Sequence, residues 1–147
     1  MSLIVRKAEI QDLPTIYTFE YAYIKEIEPL AEQRWLSSLS TLLNQWISNL
    51  PHTFIGNEDE NQIGYFSWQI EGNKALLASI YVIPTWRRKG YGMQLLNKFE
   101  TDAREKGYKQ LKLGVVKTNP AKALYKIAGY QLIEINETYE NYEKLVK

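Results

Sequence analysis

The sequence predicts an α/β (α+β) domain: a mixed, mostly antiparallel sheet of six to seven strands flanked by about four helices. Three observations carry this. Short runs rich in β-branched and aromatic residues recur between Gly, Pro and Asn turns. Between them lie stretches with apolar residues at 3- and 4-residue steps. The order β-α-α-β-β-β-α-β-α-β-β then fits one sheet with helices on both faces. The 147 residues read as a single domain, 1–147, large enough to bury a core. No linker, repeat or low-complexity segment interrupts it.

Leu3–Ala8 opens as a strand. Asp12 is placed to cap a first helix that runs to about Ile27. A second helix is expected from Ala31 to Asn49. Its Trp35, Leu36, Leu39, Leu42, Leu43, Trp46, Ile47 and Leu50 share one face, and Pro51 stops it. His52–Gly56 and Gln62–Ile70 read as a hairpin turning at Glu58–Asn61. A turn at Glu71-Gly72-Asn73 leads into a strand over Lys74–Ile83, stopped by Pro84. Met93–Lys106 reads as a helix with Leu95, Leu96, Phe99 and Ala103 on one face and Gly107 as its stop. A strand at Gln110–Val116 follows. Then come a short helix capped by Asn119 with Pro120 at its first position, and strands at Tyr130–Glu134 and Thr138–Val146.

The most informative stretch is Arg87-Arg88-Lys89-Gly90-Tyr91-Gly92, between the end of a strand and the start of a helix. Two glycines let the backbone present consecutive N–H groups. The helix start adds partial positive charge, and three cationic side chains surround it. Those are the requirements for holding a phosphate or pyrophosphate. The stretch is not a Walker loop, because no Gly-Lys-Ser/Thr follows, and it lacks the third glycine of a dinucleotide fingerprint.

The hexapeptide fits R/Q-x-x-G-x-G/A, with Arg87, Gly90 and Gly92 at the fixed places. Ahead of it lies Leu77-Ala78-Ser79-Ile80-Tyr81-Val82-Ile83-Pro84. Behind it lies Asn119-Pro120-Ala121-Lys122-Ala123-Leu124-Tyr125-Lys126-Ile127-Ala128-Gly129-Tyr130. Together with Ile4–Ala8 and Asp12-Leu13-Pro14, these segments resemble, in the right order, the GNAT family of N-acetyltransferases. The resemblance is strongest from about Ala78 to Leu132. It implies a GNAT fold whose fourth and fifth strands run parallel and splay apart, with acetyl-CoA as cosubstrate in the gap. It further implies that Arg88, Lys89, Gly90, Tyr91 and Gly92 hold the pyrophosphate. The backbone of Ile80, Tyr81 and Val82 would then hold the pantetheine arm, with Asn119 nearby. Arg87, Lys89, Lys122 and Lys126 are placed to reach the 3′-phosphate, or else simply face solvent.

Acetyl transfer to an amine needs a positioned acyl donor, a neutral amine, a polarised thioester carbonyl and a proton for the departing thiolate. Tyr125 matches the family tyrosine that protonates the sulfur, and a phenol is competent for that; the alternative is packing beside Leu124. Asn119 is equally a helix cap. Leu76 stands where some relatives carry a strand-4 glutamate, so any carboxylate base must come from elsewhere. Glu20 lies within a stripe of Leu13, Ile16, Tyr17, Ile24 and Ile27. It either lines a pocket, as ammonium receptor or base through water, or pairs with a residue such as Arg34. Glu26 and Glu28 read as solvated connection residues. Tyr17, Tyr21, Tyr23, Trp35 and Trp68 offer an aromatic wall or core packing.

The absence of cysteine excludes a disulfide framework and a thiolate nucleophile, and a single histidine cannot build a metal site. With no apolar run long enough to span a bilayer and no signal-peptide pattern, a soluble, cytoplasmic protein without membrane partner is expected. The net charge of +1 hides an asymmetry. Residues 1–73 hold 4 Lys/Arg against 10 Asp/Glu, and residues 74–147 hold 14 against 7. The second half suits an anionic cosubstrate and the first a cationic acceptor, unless the two halves merely attract each other. A pI of about 7.8 and the lack of one basic stripe argue against nucleic acid. The expected function is acetyl-CoA-dependent transfer to a primary amine of a small molecule, amino acid or peptide by direct attack in a ternary complex. A non-catalytic acyl-CoA-binding regulatory module is the alternative. A homodimer is left open.

Overall fold

A computed structural model describes residues 3–147. Its strands are β1 (Ile4–Lys7), β2 (Thr53–Glu58), β3 (Asn61–Glu71), β4 (Lys74–Val82), β5 (Gln110–Val116), β6 (Gln131–Ile135) and β7 (Tyr139–Leu145). Its helices are α1 (Leu13–Ile27), α2 (Glu32–Ser37), α3 (Leu39–Ser48), α4 (Tyr91–Glu105) and α5 (Lys122–Ile127). The strands form one seven-stranded sheet in the order β1-β2-β3-β4-β5-β7-β6. Every neighbouring pair is antiparallel except β4–β5, which is parallel. The expected α/β class and mixed sheet are therefore present. Among the described residues no helix is long and apolar enough to cross a membrane.

Each face of the sheet is covered by helices because each helix carries an apolar stripe. On one face Leu95, Leu96, Phe99 and Ala103 of α4 pack against Phe66, Trp68, Leu77 and Leu111. All four α4 residues are fully buried. Burial of each of the larger ones contributes roughly 2–3 kcal/mol. On the other face Ile16 and Phe19 of α1 meet Ile55, Tyr65 and Tyr81, with the Phe19 and Tyr65 rings stacked. Trp68, read above as a candidate aromatic wall, belongs to the α4 core instead. There its indole N–H donates to Asp102 at 2.9 Å.

A bulge in β4 shifts by one which residues of that strand face each core, so that Ala75 and Leu77 before it and Ile80 and Val82 after it belong to the α4 side. Ser79 pairs with Ser67 and Leu77 with Trp68, so Ala78 is the extra residue. Ala75 and Leu77 consequently face α4, while Tyr81 faces α1.

Three local expectations are corrected. The single helix expected over Ala31–Asn49 is broken at Ser38, whose backbone leaves helical geometry (φ −103°, ψ 9°). The hydroxyls of Ser37 and Ser38 both donate to the Arg34 carbonyl, at 3.0 and 2.8 Å. Serine competition for helix carbonyls is the physical reason for the break. Asp12 precedes α1 but does not cap it with its side chain. Its carboxylate accepts the Glu9 N–H at 2.8 Å and two Arg6 nitrogens at 2.8 Å each. Finally, α5 starts at Lys122 rather than Pro120. Asn119 still serves the turn, accepting the Ala121 N–H at 2.9 Å.

Candidate active site

Strands β4 and β5 pair only from Lys74 with Gln110 to Leu77 with Leu113. Beyond that point they part, and the cleft that opens has no strand to satisfy its edges. The Ile83 N–H bonds to Ile63 of β3 at 2.8 Å. By alternation, Ile80 and Val82 turn their peptide groups toward the gap. An extended chain carrying amides fits such an edge, because unpaired strand groups are costly to bury.

Two clefts meet in the gap. An inner cleft of about 280 Å³ lies between β4, β5 and helices α1–α3. An outer cleft of about 330 Å³ runs along β4 to the Arg87–Gly92 loop and α5. Tyr23, Ile80, Tyr81, Asn119 and Tyr125 line both.

At the outer end, Gly90 is the cap residue of α4, with φ +84°. Open space surrounds the place its Cβ would take, while a Cβ on Gly92 would sit 3.4 Å from Leu124. Arg88 also adopts positive φ, +63°. The first helical hydrogen bond of α4 runs from Gln94 to the Gly90 carbonyl at 3.1 Å. The N–H groups of Tyr91, Gly92 and Met93 are thus free of helical acceptors. Together with the helix dipole they are suited to hold an anion. Arg88 and Lys89 are exposed beside it, and neither forms an ion pair among the described residues. The Tyr91 ring is buried and packs on Trp86, so it anchors the loop.

Arg87 is engaged by protein. Its Nε donates to the Val82 carbonyl at 2.8 Å, and its other nitrogens donate to Glu26 at 2.6 and 2.8 Å. The guanidinium also lies over the Tyr81 ring, 5.3 Å from its centroid. The Glu26 carboxyl is held below its usual range chiefly by the hydrogen bonds from Arg87. Glu26 is therefore a clamp, not the solvated residue expected. Lys122 pairs with Glu140 at 3.3 Å.

Glu20 faces inward from α1 and lines the inner cleft. It forms no pair with Arg34; instead Tyr65 donates its phenol hydrogen to the carboxylate. Burial pushes the Glu20 carboxyl up to about 7, against an opposing hydrogen bond from Ser79, with nearby Glu28 adding to the rise. Glu28 accepts the Tyr23 hydroxyl at 2.8 Å and borders the same cleft with Trp35 and Tyr139. Glu20 and Glu28 are the only charged side chains in that lining.

Tyr125 is buried, its ring edge-on to Tyr130. Burial raises its phenol above the ordinary value, so it stays protonated throughout the neutral range. The residues read from sequence thus gather around one gap: Glu20 and Tyr125 in the inner cleft, and Gly90 and Gly92 at the outer end. Sequence reasoning missed Ser79, and it read Glu26 and Glu28 as bystanders. The charge asymmetry was the available signal for the two glutamates. Two of the seven ion pairs among the described residues join the acidic half to the basic half, so mutual attraction leaves most of the acidic charge unspent. Among the described residues no cluster of three His, Cys, Asp or Glu could hold a metal ion.

Known proteins are similar to this chain. The model of the acetyltransferase (GNAT) family matches residues 10–130. The chain is 32% identical over 133 residues, 81% of each chain, to the spermidine N(1)-acetyltransferase of Thermoplasma acidophilum. It is 33% identical over 82 residues to the ribosomal protein bS18-alanine N-acetyltransferase of Haemophilus influenzae. That match spans 56% of each chain, little more than half of the relative's length. Among solved structures, the PaiA N-acetyltransferase of Thermoplasma acidophilum, in complex with coenzyme A, superposes with a TM-score of 0.83 at 24% identity, covering 99% of this chain and 100% of that one. A Salmonella typhimurium protein holding its cofactor acetyl-CoA superposes with a TM-score of 0.80 at 17% identity, covering 100% and 95%.

Proposed function

The chain belongs to the acetyltransferase (GNAT) family, and we propose that it transfers the acetyl group of acetyl-CoA to a primary amine that arrives as a cation. The observation that carries this reading is the convergence of Glu20 and Tyr125 on one cleft at the point where β4 and β5 part. The cradle at Tyr91–Met93, with Arg88 and Lys89 beside it, suits the pyrophosphate. The gap-facing edge of β4, where Ile80 and the Val82 N–H are open while the Val82 carbonyl is held by Arg87, suits the pantetheine amides. Acetyl-CoA supplies an acyl carbon attached to a thiol leaving group. Glu20, with a carboxyl near 7, is matched to accept a proton from an ammonium group at neutral pH, so that the free amine can attack. Tyr125, kept protonated by burial, is placed to supply a proton to the departing sulfur. Glu20 and Glu28, without a cationic side chain beside them, favour a positively charged acceptor. The relative named for spermidine acetylation is consistent with that class.

The test is thiol release from acetyl-CoA with a panel of monoamines, diamines, amino acids and peptides. Turnover confined to cationic amines is the expected result. Tight acetyl-CoA binding with no turnover on any amine would favour the non-catalytic regulatory reading instead.

A further inference from the structure

We infer that the acceptor is a diamine, and that Glu28, walled by Trp35 and Tyr139, receives the ammonium that does not react. The inference rests on the acyl-transfer reading above and narrows it, from any cationic amine to a chain with an ammonium at each end.

Glu28 is the cap residue at the C-terminal end of α1, eight positions beyond Glu20. At roughly 1.5 Å per residue, the two backbones stand about 12 Å apart along the helix axis. Both side chains border the inner cleft, and each is tied to a different hydroxyl. Tyr65 of β3 holds Glu20, and Tyr23 of α1 holds Glu28 at 2.8 Å. The carboxylates are therefore two separate receptors in one cleft. An ammonium placed at Glu20 leaves Glu28 unmatched. A second ammonium on the same chain matches it.

Glu28 has capacity to spare. The Tyr23 bond engages its Oε2. Among the described residues Oε1 accepts no hydrogen bond, and Glu28 joins none of the seven ion pairs. The side chain is half-buried, where a carboxylate without a counter-charge is costly. Its charge reaches Glu20, Tyr23 and Tyr139, and it adds to the upward push on each. Arg34 acts on Tyr139 in the opposite sense. It lies outside the cleft lining, however, and forms no ion pair among the described residues. Trp35 of α2 and Tyr139 of β7 stand in the same lining as Glu28. The Trp35 ring is stacked on Tyr21, with centroids 5.2 Å apart, so its orientation is fixed. Aromatic faces attract an ammonium. A carboxylate tail, as on an amino acid, would instead meet Glu28 as a like charge.

The reacting nitrogen sheds a proton, bonds to the acyl carbon as the C–S bond breaks, sheds a second proton and ends as an uncharged amide. The departing thiolate takes up one of the two protons, and the other goes to solvent. The distal nitrogen keeps its charge throughout. A singly acetylated diamine that returns to the cleft offers one ammonium only, so the enzyme should stop at one acetyl group.

Butylamine and the diamine of the same carbon chain isolate the second ammonium, and the propyl, pentyl and hexyl pairs extend the comparison. With acetyl-CoA saturating, the best diamine should show a KM roughly tenfold below that of its monoamine, the affinity equivalent of one hydrogen bond to a charged group. Glu28→Gln keeps an oxygen for Tyr23 but removes the charge. It should abolish the diamine advantage, with the change falling on the diamine KM rather than on kcat. Tyr139→Leu should remove part of the advantage. Acetyl-CoA affinity by calorimetry reports that the fold is intact in each variant. Mass spectrometry should show a singly acetylated product, and that product, supplied as acceptor, should behave like the monoamine. No diamine advantage in any wild-type pair, or an undiminished one in Glu28→Gln, would overturn the inference. A loss of kcat on monoamine and diamine alike in Glu28→Gln would overturn it too, assigning Glu28 to the proton transfer. Those failures leave amine turnover in place and remove the second receptor alone. No turnover of any amine would end the acyl-transfer reading, and this inference with it.

Discussion

Glu26 and Arg87 grip each other through two hydrogen bonds, 2.6 and 2.8 Å long, across 61 positions of sequence. The pair fastens the last turn of α1, the helix that carries Glu20, to the start of the Arg87–Gly92 loop. Both side chains are about one-third exposed, so the pair contributes at most about 1 kcal/mol to stability. Both residues line the outer cleft, so the pair ties two of its walls together.

Glu26→Gln keeps the shape but removes the charge. The expected outcome is a threefold to fivefold weaker acetyl-CoA affinity, roughly the effect of losing one exposed ion pair, with Tm nearly unchanged. Calorimetry and thermal melts measure the two quantities. A large drop in Tm with unaltered affinity would make the pair structural alone.

Gly90 at φ +84° has space for a side chain but not the backbone freedom. Gly90→Val should force the turn out of its left-handed conformation, at roughly 1–2 kcal/mol of strain. Realigning the N–H cradle should then weaken acetyl-CoA binding about tenfold or more, the affinity equivalent of that strain. Gly90→Asn, better tolerated at positive φ, should lose less. Equal affinities in all three proteins would exclude the cradle.

Tyr125→Phe should lower kcat roughly 100-fold while acetyl-CoA affinity stays constant, as for loss of a general acid. Because burial keeps the phenol protonated, the wild-type rate should show no loss of this acid up to at least pH 9. An unchanged kcat in the variant would reduce Tyr125 to a packing residue.

Glu20 ties activity to stability in opposite directions. Its folded carboxyl sits at about 7, above the ordinary 4.5. The neutral form is the one the fold prefers. Its stabilisation is complete below about pH 4.5 and is lost as pH rises through 7. With Glu20 as the proposed base, activity should rise as the carboxyl ionises near pH 7. Glu20→Gln should therefore lose the rising limb of kcat/KM near pH 7. It should also gain on the order of 2 kcal/mol over wild type at pH 8, where the buried charge costs most. Melts at pH 4 and pH 8 test the second claim; a variant less stable than wild type at pH 8 would contradict it.

The order of elements and the turn that opens α4 were legible because both rest on local signals. Gly90, Pro84 and the apolar stripe of α4 act within a few residues of themselves. What stayed hidden depended on distant partners. Glu26 looks solvated until the fold brings Arg87 beside it. Trp68 looks like a substrate wall until Asp102 arrives from α4 to take its N–H. Glu20 was conspicuous as a carboxylate among apolar neighbours, but Tyr65, which holds it, lies on a distant strand with no sequence mark. The break at Ser38 was locally encoded, yet the apolar periodicity running through it outweighed two serines.

The extra residue at Ala78 carries no chemistry of its own, yet the reaction centre depends on it. Upstream of it, counting by twos through Ala75 and Leu77 stays beneath α4; downstream, the same count falls on Tyr81 and the opposite side of the sheet, where α1 waits, while Ile80 and Val82 take over the α4 side. The address of the site along the strand is thus written as a residue count rather than as a residue type. Such an address tolerates many substitutions at Ala78 but is erased by removing any one position between Leu77 and Tyr81.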